Sequence, residues 1–161
     1  MTDRLTHLDD SGRARMVDVG AKPATVREAV AVGHVRMSRK AFELARSGAA
    51  PKGDMRAVAE IAGVMAGKRA SELIPLCHPL PLSSLVVEIA PEDAATSFVV
   101  TARARTTAAT GVEMEALTAV SVACLTIYDM LKAVDRAMSI EGVQLLSKTG
   151  GAAGDYQRQD K

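Results

Sequence analysis

The chain has 161 residues, 48% of them hydrophobic, which suits one domain with its own core and is short for two. Its 20 Lys and Arg residues against 19 Asp and Glu leave a formal net charge of +1, which supplies no overall field for nucleic acid or an anionic membrane. Aromatic residues make up only 2%, with no Trp, which argues against the stacking surfaces that bind single-stranded nucleic acid. Any anion site must therefore be a local cluster of cations.

Cysteine and histidine placement bears on redox state and metal binding. Cys77 and Cys124 are far apart and form no C-x-x-C pair, which favours a reduced, cytoplasmic protein. The three histidines show no i, i+4 pair of the kind that binds zinc on a helix, so we expect no tightly held metal ion. Residues 1–15 are polar, lack the apolar segment of a signal peptide and are expected to form a mobile arm. No later stretch is long and uncharged enough to predict a membrane span.

The first predicted elements are a strand and two helices. Residues 25–37 (TVREAVAVGHVRM) alternate between Val and polar residues, as a half-buried strand does. Ser38 can cap a helix that runs to about Arg46 and ends at Gly48. A second helix is predicted over residues 53–73, where apolar residues recur near helical spacing.

Two strands, one long helix and a last strand follow. Three prolines between residues 75 and 81 exclude further helix there. Residues 82–90 and 97–105 are predicted strands, joined as a hairpin by the turn PEDAAT. A long helix is predicted over residues 110–132 and a last strand over residues 138–148.

This order of elements predicts the fold class. Consecutive strands are close enough to pair antiparallel, so helices should cover one face of an antiparallel sheet. We therefore expect an α+β fold of the ferredoxin-like plait type, with the helices packed on one face, formed as a single domain over residues 1–161. The tail GGAAGDYQRQDK, residues 150–161, is expected to be flexible.

Four charged residues interrupt the apolar run of the predicted long helix: Glu113, Glu115, Asp129 and Lys132. A charge among packed apolar groups has to be paired, neutralised or used, because losing its water costs several kcal/mol. Glu113 can complete a capping box with Thr110, while Glu115 and Lys132 lie near the helix ends whose dipole favours their sign. Asp129 opposes the dipole and has only Lys132 as a local partner, so it is the strongest candidate for a functional residue.

Three further residues have unusual sequence surroundings, and each has both a functional and a purely structural interpretation. Lys52 in PKGD is either a functional cation or a solvated loop lysine. His78 lies in the proline-rich apolar segment LIPLCHPLPL, and it either faces a ligand pocket or is buried against backbone. Lys148 precedes Gly150 and Gly151, where a cation and exposed amides can hold phosphate, although short glycine runs are also common in tails.

Six segments together resemble one family, the MoaC cyclic pyranopterin monophosphate synthases of molybdenum-cofactor biosynthesis. The resemblance covers nearly the whole chain, and LCHP followed by GVEMEALT and YDMLKA in this order is specific. The six segments are MVDVGAK at 16–22, PKGD at 51–54, ELIPLCHPL at 72–80, TGVEMEALT at 110–118, LTIYDMLKAV at 125–134 and LLSKTGG at 145–151.

The resemblance implies a ferredoxin-like subunit in a homohexamer, a trimer of dimers with the active site at the dimer interface. It also implies a small-molecule substrate, 3',8-cyclo-7,8-dihydro-GTP, which is converted to cyclic pyranopterin monophosphate with release of pyrophosphate. The family's catalytic positions fall on Lys52, Asp129 and Lys132. Its substrate contacts fall on Leu76, Cys77, His78, Glu113, Met114 and Glu115. Polar positions that hold the triphosphate or the loops around it fall on Asp18, Lys22, Arg27 and Lys148.

The sequence departs from the family's pattern in two places. The tail has Ala152 and Ala153 where the family often has Lys and Ser, and Ala109 stands where a longer polar residue is frequent. The core motifs remain intact. The departures bear on how much the tail contributes to phosphate binding.

The residue types suit acid–base chemistry. Rearranging a purine ring needs acids and bases near neutrality, and a lysine desolvated beside another cation can lose its proton. Lys52 and Lys132 are the predicted acid–base pair, and Asp129 either orients Lys132 or accepts a substrate proton. No cofactor is required by the residues, although Mg²⁺ bound with the triphosphate can stabilise the departing pyrophosphate alongside the pocket cations.

Two other classes of function remain open from the sequence. A non-catalytic oligomeric module that binds a nucleotide or pterin needs the cations but no proton transfer, and the plait fold alone does not exclude it. A nucleotide pyrophosphohydrolase normally needs a carboxylate cluster for metal, which the sequence does not display.

Helix geometry predicts that two chains share each site. Glu115 and Asp129 should lie about 21 Å apart along one helix, which is too far for one small reacting centre. Two such helices related by a two-fold axis would bring the start of one beside the end of the other. On this basis, mixing Lys52→Ala with Lys132→Ala subunits is expected to restore part of the activity.

Overall fold

A computed structural model of the chain describes residues 11–48, 50, 52–151 and 154–159. In chain order its elements are β1 (Thr25–Arg36), α1 (Arg39–Arg46), α2 (Met55–Gly67), α3 (Ala70–Leu73), β2 (Leu82–Glu92), β3 (Ser97–Ala108), α4 (Glu113–Leu131), β4 (Ser139–Thr149) and β5 (Tyr156–Gln157). The strands form one antiparallel sheet in the order β2-β3-β1-β4-β5. This arrangement confirms the predicted α+β, ferredoxin-like fold.

β1 lies in the interior of the sheet and fixes the position of its neighbours. It pairs with β3 without interruption, from Thr25 opposite Ala108 to Arg36 opposite Ser97. On its other side it pairs with β4 through two register shifts. This pairing places the start of β1 beside the end of β4, which becomes one wall of a cavity.

α4 is the central helix of the layer that covers the sheet. By length and composition it is apolar enough to cross a membrane, but 56% of its most apolar stretch is buried inside the protein, as in a core helix. Its inner residues pack with small and apolar side chains of β1 and β3. α2 packs beside it on the same side of the sheet.

α2 and α4 approach each other closely because α2 carries glycine at the contact. A Cβ on Gly63 would lie 2.9 Å from the Ala119 carbonyl oxygen, and a Cβ on Gly67 would lie 3.0 Å from the Glu115 carbonyl oxygen. Real Cβ atoms do not fit beside a backbone atom at these distances without a shift of the helix. The glycines therefore set the spacing of the helix pair and help to bury the first turns of α4.

Two predicted helix boundaries are corrected. The helix predicted over residues 53–73 divides into α2 and α3, because the backbone of Arg69 leaves helical values (φ −113°, ψ 16°). The predicted N-cap at Thr110 is wrong, since α4 begins at Glu113 with Val112 as its N-cap residue, and no side chain in the described part of the chain caps it. Ser38 does cap α1 as predicted, with its side chain accepting from the Ala41 amide.

The hairpin and the tail also differ from expectation. β2 continues through Pro91 to Glu92, which pairs with Ser97, so the turn is shorter than PEDAAT. Pro91 is tolerated because β2 is an edge strand. The expectation of a flexible tail is corrected at β5, which pairs with Ser147 and Lys148 of β4. Of the predicted arm, residues 1–10 lie outside the described residues.

The close packing of the helix pair yields a stability prediction. Gly→Ala inside a helix ordinarily adds up to about 1 kcal/mol of stability, but at Gly63 the new methyl meets the Ala119 carbonyl. We expect Gly63→Ala to lower the free energy of unfolding by about 1–3 kcal/mol, as measured by chemical denaturation. Ala57→Ser, on the exposed side of α2, is the matched control and should change it by no more than about 0.5 kcal/mol. A stabilised Gly63→Ala variant would contradict the packing described.

Candidate functional site

The carboxyl-terminal end of α4 brings the three predicted catalytic residues together. Asp129 lies in the last turn of α4, Lys132 is its C-cap residue, and Lys52 reaches over from the connection between α1 and α2. Lys52 Nζ donates to Asp129 Oδ2 at 2.6 Å and to the Asp129 carbonyl oxygen at 3.1 Å. Lys132 Nζ donates to Asp129 Oδ1 at 2.5 Å. We call these three residues the lysine cluster.

The lysine cluster is held by charge and remains open to solvent. Hydrogen bonds from Lys132 and then from Lys52 lower the pKa of Asp129 to about 2, so its carboxylate is charged near neutral pH. This pairing explains how a carboxylate is accommodated near a helix C-terminus. The side chains of Lys52, Asp129 and Lys132 are 48%, 53% and 52% exposed. Within one chain, therefore, the lysine cluster is not enclosed by protein.

A cavity of about 650 Å³ lies at the opposite end of the sheet and of α4. Three predicted cations line it: Lys22 from the segment before β1, Arg27 from β1 and Lys148 from β4. Because β1 and β4 pair antiparallel, with Ala29 opposite Lys148, Arg27 and Lys148 meet at one end of the sheet. We call this cavity the cationic pocket.

Arg27 carries an unused donor in the cationic pocket. Its Nε is buried and has no hydrogen-bond partner among the described residues, while Nη2 donates to the Ala109 carbonyl at 3.5 Å. Gly151 lies directly against the guanidinium, since a Cβ there would be 1.8 Å from Arg27 Nη1. A buried donor without a partner is costly. An anion in the pocket would satisfy it.

Glu113 crosses the cationic pocket to pair with Lys148, with 3.0 Å between Oε1 and Nζ. The predicted capping box with Thr110 does not form, because Glu113 is the first residue of α4 rather than the third. Its carboxylate folds over Gly111, where a Cβ would lie 1.9 Å from Oε2. Glu113 therefore supplies the negative charge that balances Lys148.

The glycines after β4 hold the wall of the pocket rather than an empty phosphate nest. The Gly150 amide donates to Asp155 Oδ1 at 2.9 Å, so this amide is occupied. A Cβ on Gly150, whose φ is +86°, would lie 2.3 Å from the Val26 carbonyl oxygen, which only glycine avoids. The prediction that exposed amides beside Lys148 hold phosphate is therefore corrected at Gly150.

The LCHP segment lies between α3 and β2 and contacts two different neighbours. His78 Nε2 donates to the Val17 carbonyl oxygen at 2.8 Å, which fixes the proton on Nε2 because a carbonyl only accepts. Cys77 Sγ lies 3.7 Å from Glu115 Oε1. Leu76 is 36% exposed, and Met114 is half-buried next to Glu115 on α4. The segment thus links the chain before β1 to the first turn of α4.

The chain before β1 forms a tight turn that delivers Lys22. Asp18 Oδ1 accepts from the Gly20 amide at 2.8 Å, and the Lys22 amide donates to the Val19 carbonyl oxygen at 3.0 Å. Asp18 is exposed and shapes this turn, whereas Lys22 itself lines the cationic pocket. The two predicted residues therefore have different positions with respect to the pocket.

α4 keeps its two functional ends apart. The helix is continuous from Glu113 to Leu131, so Glu115 and Asp129 are separated by about 21 Å along its axis. Lys52 and Lys132, by contrast, bind the same carboxylate within one chain. This geometry argues against the expected rescue between Lys52→Ala and Lys132→Ala subunits, because both substitutions damage the same cluster.

Sequence reasoning missed two residues that shape the cationic pocket. Glu28 lines it and accepts from Arg103 Nη1 at 2.6 Å. Asp155 binds the Gly150 amide and so holds the tail against β4. A polar residue in an alternating strand signals only a solvent-facing position, so Glu28 had no distinguishing signal. Asp155 follows Gly154, a turn signal that fits its side chain's bond to backbone.

Metal binding finds no support in the part of the chain that the structure describes. Within these ranges, no group of three or more His, Cys, Asp or Glu side chains is arranged to hold a metal ion.

Comparison with known proteins places the chain in a family. The profile of the MoaC family matches residues 16–151, which include all of the lysine cluster and of the cationic pocket. The cyclic pyranopterin monophosphate synthase of Chloroflexus aggregans is 56% identical over 158 residues, covering 98% of this chain and 96% of that protein. The synthase of Thermomicrobium roseum is 56% identical over 156 residues, covering 97% of this chain and 94% of that protein. The chain therefore belongs to the MoaC family.

Proposed function

We propose that the chain is a cyclic pyranopterin monophosphate synthase of molybdenum-cofactor biosynthesis, a cytoplasmic lyase that acts on 3',8-cyclo-7,8-dihydro-GTP. Relatives that carry this name are 56% identical over nearly its full length. The observation that supports the proposal most directly is the lysine cluster, in which two ammonium groups share the Asp129 carboxylate. Groups that donate and accept protons at a fixed distance are what a ring rearrangement requires.

The cationic pocket is proposed to hold the triphosphate. Lys22, Arg27 and Lys148 supply positive charge, and the unpaired Nε of Arg27 supplies a directional donor. The incoming phosphates would compete with Glu113 for Lys148. We treat Mg²⁺ as a companion of the triphosphate rather than as a resident ion of the protein.

Closure of the cyclic phosphate is proposed to draw on both groups of residues. A substrate hydroxyl oxygen attacks the α-phosphorus, which forms one P–O bond and breaks the bond to pyrophosphate. The hydroxyl proton passes to a lysine of the cluster that has first given up its own proton and is a neutral amine, while the charge on the departing pyrophosphate is stabilised in the cationic pocket. Asp129 either orients the lysines or takes up a substrate proton.

A second chain is proposed to complete each site. The lysine cluster is exposed in one chain and lies at the far end of α4 from the cationic pocket. The helix layer also exposes large apolar side chains, each at least 46% accessible, at Val58, Ile61, Met65 and Leu125. Covering such a surface with a copy related by a two-fold axis would bury it and juxtapose the two ends of α4. A homohexamer built as a trimer of such dimers is the assembly we propose.

The rival function is a non-catalytic oligomeric module that binds a nucleotide or pterin. Such a module would bind its ligand in the cationic pocket, and the lysine cluster would transfer no proton. Pyrophosphate release separates the two possibilities, because binding alone releases none.

Activity and its dependence on the lysines test the proposal. Purified protein incubated with the cyclised dihydro-GTP should release pyrophosphate and form the pterin product. Lys52→Ala and Lys132→Ala should each lower kcat by at least about 100-fold, since each removes a proton-transfer group. Both residues are exposed within one chain, so the fold should be unchanged by circular dichroism, and light scattering should show the wild-type oligomeric state. Near-normal turnover in either variant would contradict the acid–base roles.

Acid titration tests the ion pairing of Asp129. Its pKa is lowered from 3.8 to about 2, so the pairing contributes to stability above pH 3.8 and is lost as the pH falls toward 2. The difference in unfolding free energy between wild type and Asp129→Asn should therefore be constant above about pH 5 and shrink between about pH 4 and 2. A difference that already shrinks between about pH 7 and 5 would show that Asp129 is not held by the two lysines.

Mixed oligomers test the shared site. Lys52→Ala removes one end of the proposed site and Arg27→Ala removes the other, so a mixed dimer retains one intact site of two. Statistical mixing should then restore about one quarter of wild-type activity. Lys52→Ala mixed with Lys132→Ala is the matched control and should restore none. Equal recovery in both mixtures, or in neither once mixed dimers are verified by mass spectrometry, would contradict the arrangement.

A further inference from the structure

Glu115 carries a buried carboxyl group, one of whose oxygens has no hydrogen-bond partner among the described residues. Its residue is only 3% exposed, in the first turns of α4 where Gly67 brings α2 against the Glu115 backbone. Oε1 lies 3.7 Å from Cys77 Sγ, whereas Oε2 has no hydrogen-bond partner among the described residues. A buried polar atom without a partner is costly, and at a functional site it marks a position that a ligand can satisfy.

Cys77 is placed to bind rather than to react. Burial, and then the nearby Glu115, raise the pKa of the Cys77 thiol to about 11, so it stays protonated near neutral pH and is a poor nucleophile. Its single proton faces two acceptors, Glu115 Oε1 and the His78 carbonyl oxygen, each 3.7 Å from Sγ. Burial also raises the pKa of the Glu115 carboxyl, so the two acids meet through a hydrogen bond rather than as two repelling anions.

The loop that carries Cys77 is tied down on its other side. His78 donates from Nε2 to the Val17 carbonyl, so the LCHP segment is fixed between the chain before β1 and α4. The position of Cys77 Sγ is therefore fixed, and its hydrogen bond can orient Oε1 of Glu115. Glu113, whose charge also acts on this carboxyl, is already paired with Lys148.

We propose that Cys77 is a positioning residue for Glu115. Its thiol holds Oε1 so that Oε2 is kept free for an N–H or O–H group of the substrate's purine-derived ring. This inference rests on the proposed synthase function for the identity of the ring. It assigns Cys77 no covalent step, and it takes the contact of Glu115 with the substrate from the resemblance to the MoaC family, so that only the positioning by Cys77 is new.

Steady-state kinetics test the coupling between the two residues. Cys77→Ala should lower kcat/KM about tenfold, the worth of about one hydrogen bond to a buried group. Cys77→Ser, which keeps a donor, should recover the rate to within about threefold of wild type. In a Glu115→Gln background, Cys77→Ala should cost less than about twofold more, because the group it positions has already been changed.

The matched control removes the other thiol. Cys124 is fully buried in the core against Gly33, away from Glu115, so Cys124→Ala tests the loss of a thiol as such and should leave kcat/KM within about twofold. A larger loss of kcat/KM in Cys77→Ala than in Cys124→Ala, at equal thermal stability, supports the positioning role of Cys77. The inference would be overturned if Cys77→Ala lowered kcat/KM by the same factor in the wild-type and Glu115→Gln backgrounds. It would also be overturned if Cys77→Ser failed to recover the rate.

NMR of isotope-labelled glutamate carboxyl carbons separates this inference from the proposed function, since it needs no turnover. The Glu115 resonance is the one absent in Glu115→Gln. It should move in Cys77→Ala and stay close to its wild-type position in Cys77→Ser and Cys124→Ala. If wild type fails to turn over the cyclised dihydro-GTP, the proposed function fails while this comparison still decides the coupling. An unmoved Glu115 resonance in Cys77→Ala would overturn the inference.

Discussion

The length of α4 determines how far apart the lysine cluster and the cationic pocket of one chain lie. The helix runs without a break from Glu113 to Leu131, which at about 1.5 Å per residue separates its ends by about 27 Å. One end carries the lysine cluster and the other borders the cationic pocket. A substrate the size of a nucleoside triphosphate cannot be held at both ends of the same helix, so the proposed reaction depends on a second chain.

Close packing of α2 against α4 fixes the distance between the two ends of α4 and buries the carboxyl group in its first turn. Gly63 and Gly67 allow α2 to approach the α4 backbone, which buries Glu115 beside Cys77. The opposite end remains open, and there solvent and two lysines keep Asp129 ionised. One helix therefore presents a buried carboxyl with a raised pKa and an exposed carboxylate with a lowered pKa. In the proposed shared site, the buried carboxyl of one chain and the exposed carboxylate of its partner would offer two different proton affinities to one reaction.

The sequence predicted most where local chemistry decides the structure. Alternation predicted β1 and its bounds almost to the residue, and Ser38 predicted the start of α1, because both signals are local. The break at Arg69 carries no Gly or Pro at that position, so the apolar pattern extended one helix through it. The helix dipole singled out Asp129, but the contact of Asp129 with Lys52 joins residues 77 positions apart and has no local signal. The cationic pocket likewise depends on strand pairing, which placed Arg27 beside Lys148.

The proposed site combines the lysine cluster of one chain with the cationic pocket of another. Its sharpest test is a crystal structure of the inactive Lys132→Ala oligomer with 3',8-cyclo-7,8-dihydro-GTP bound. We predict the triphosphate on Arg27 and Lys148 of one protomer, with the ring system beside Lys52 and Asp129 of its partner. A substrate that contacts residues of one protomer only would contradict the shared site.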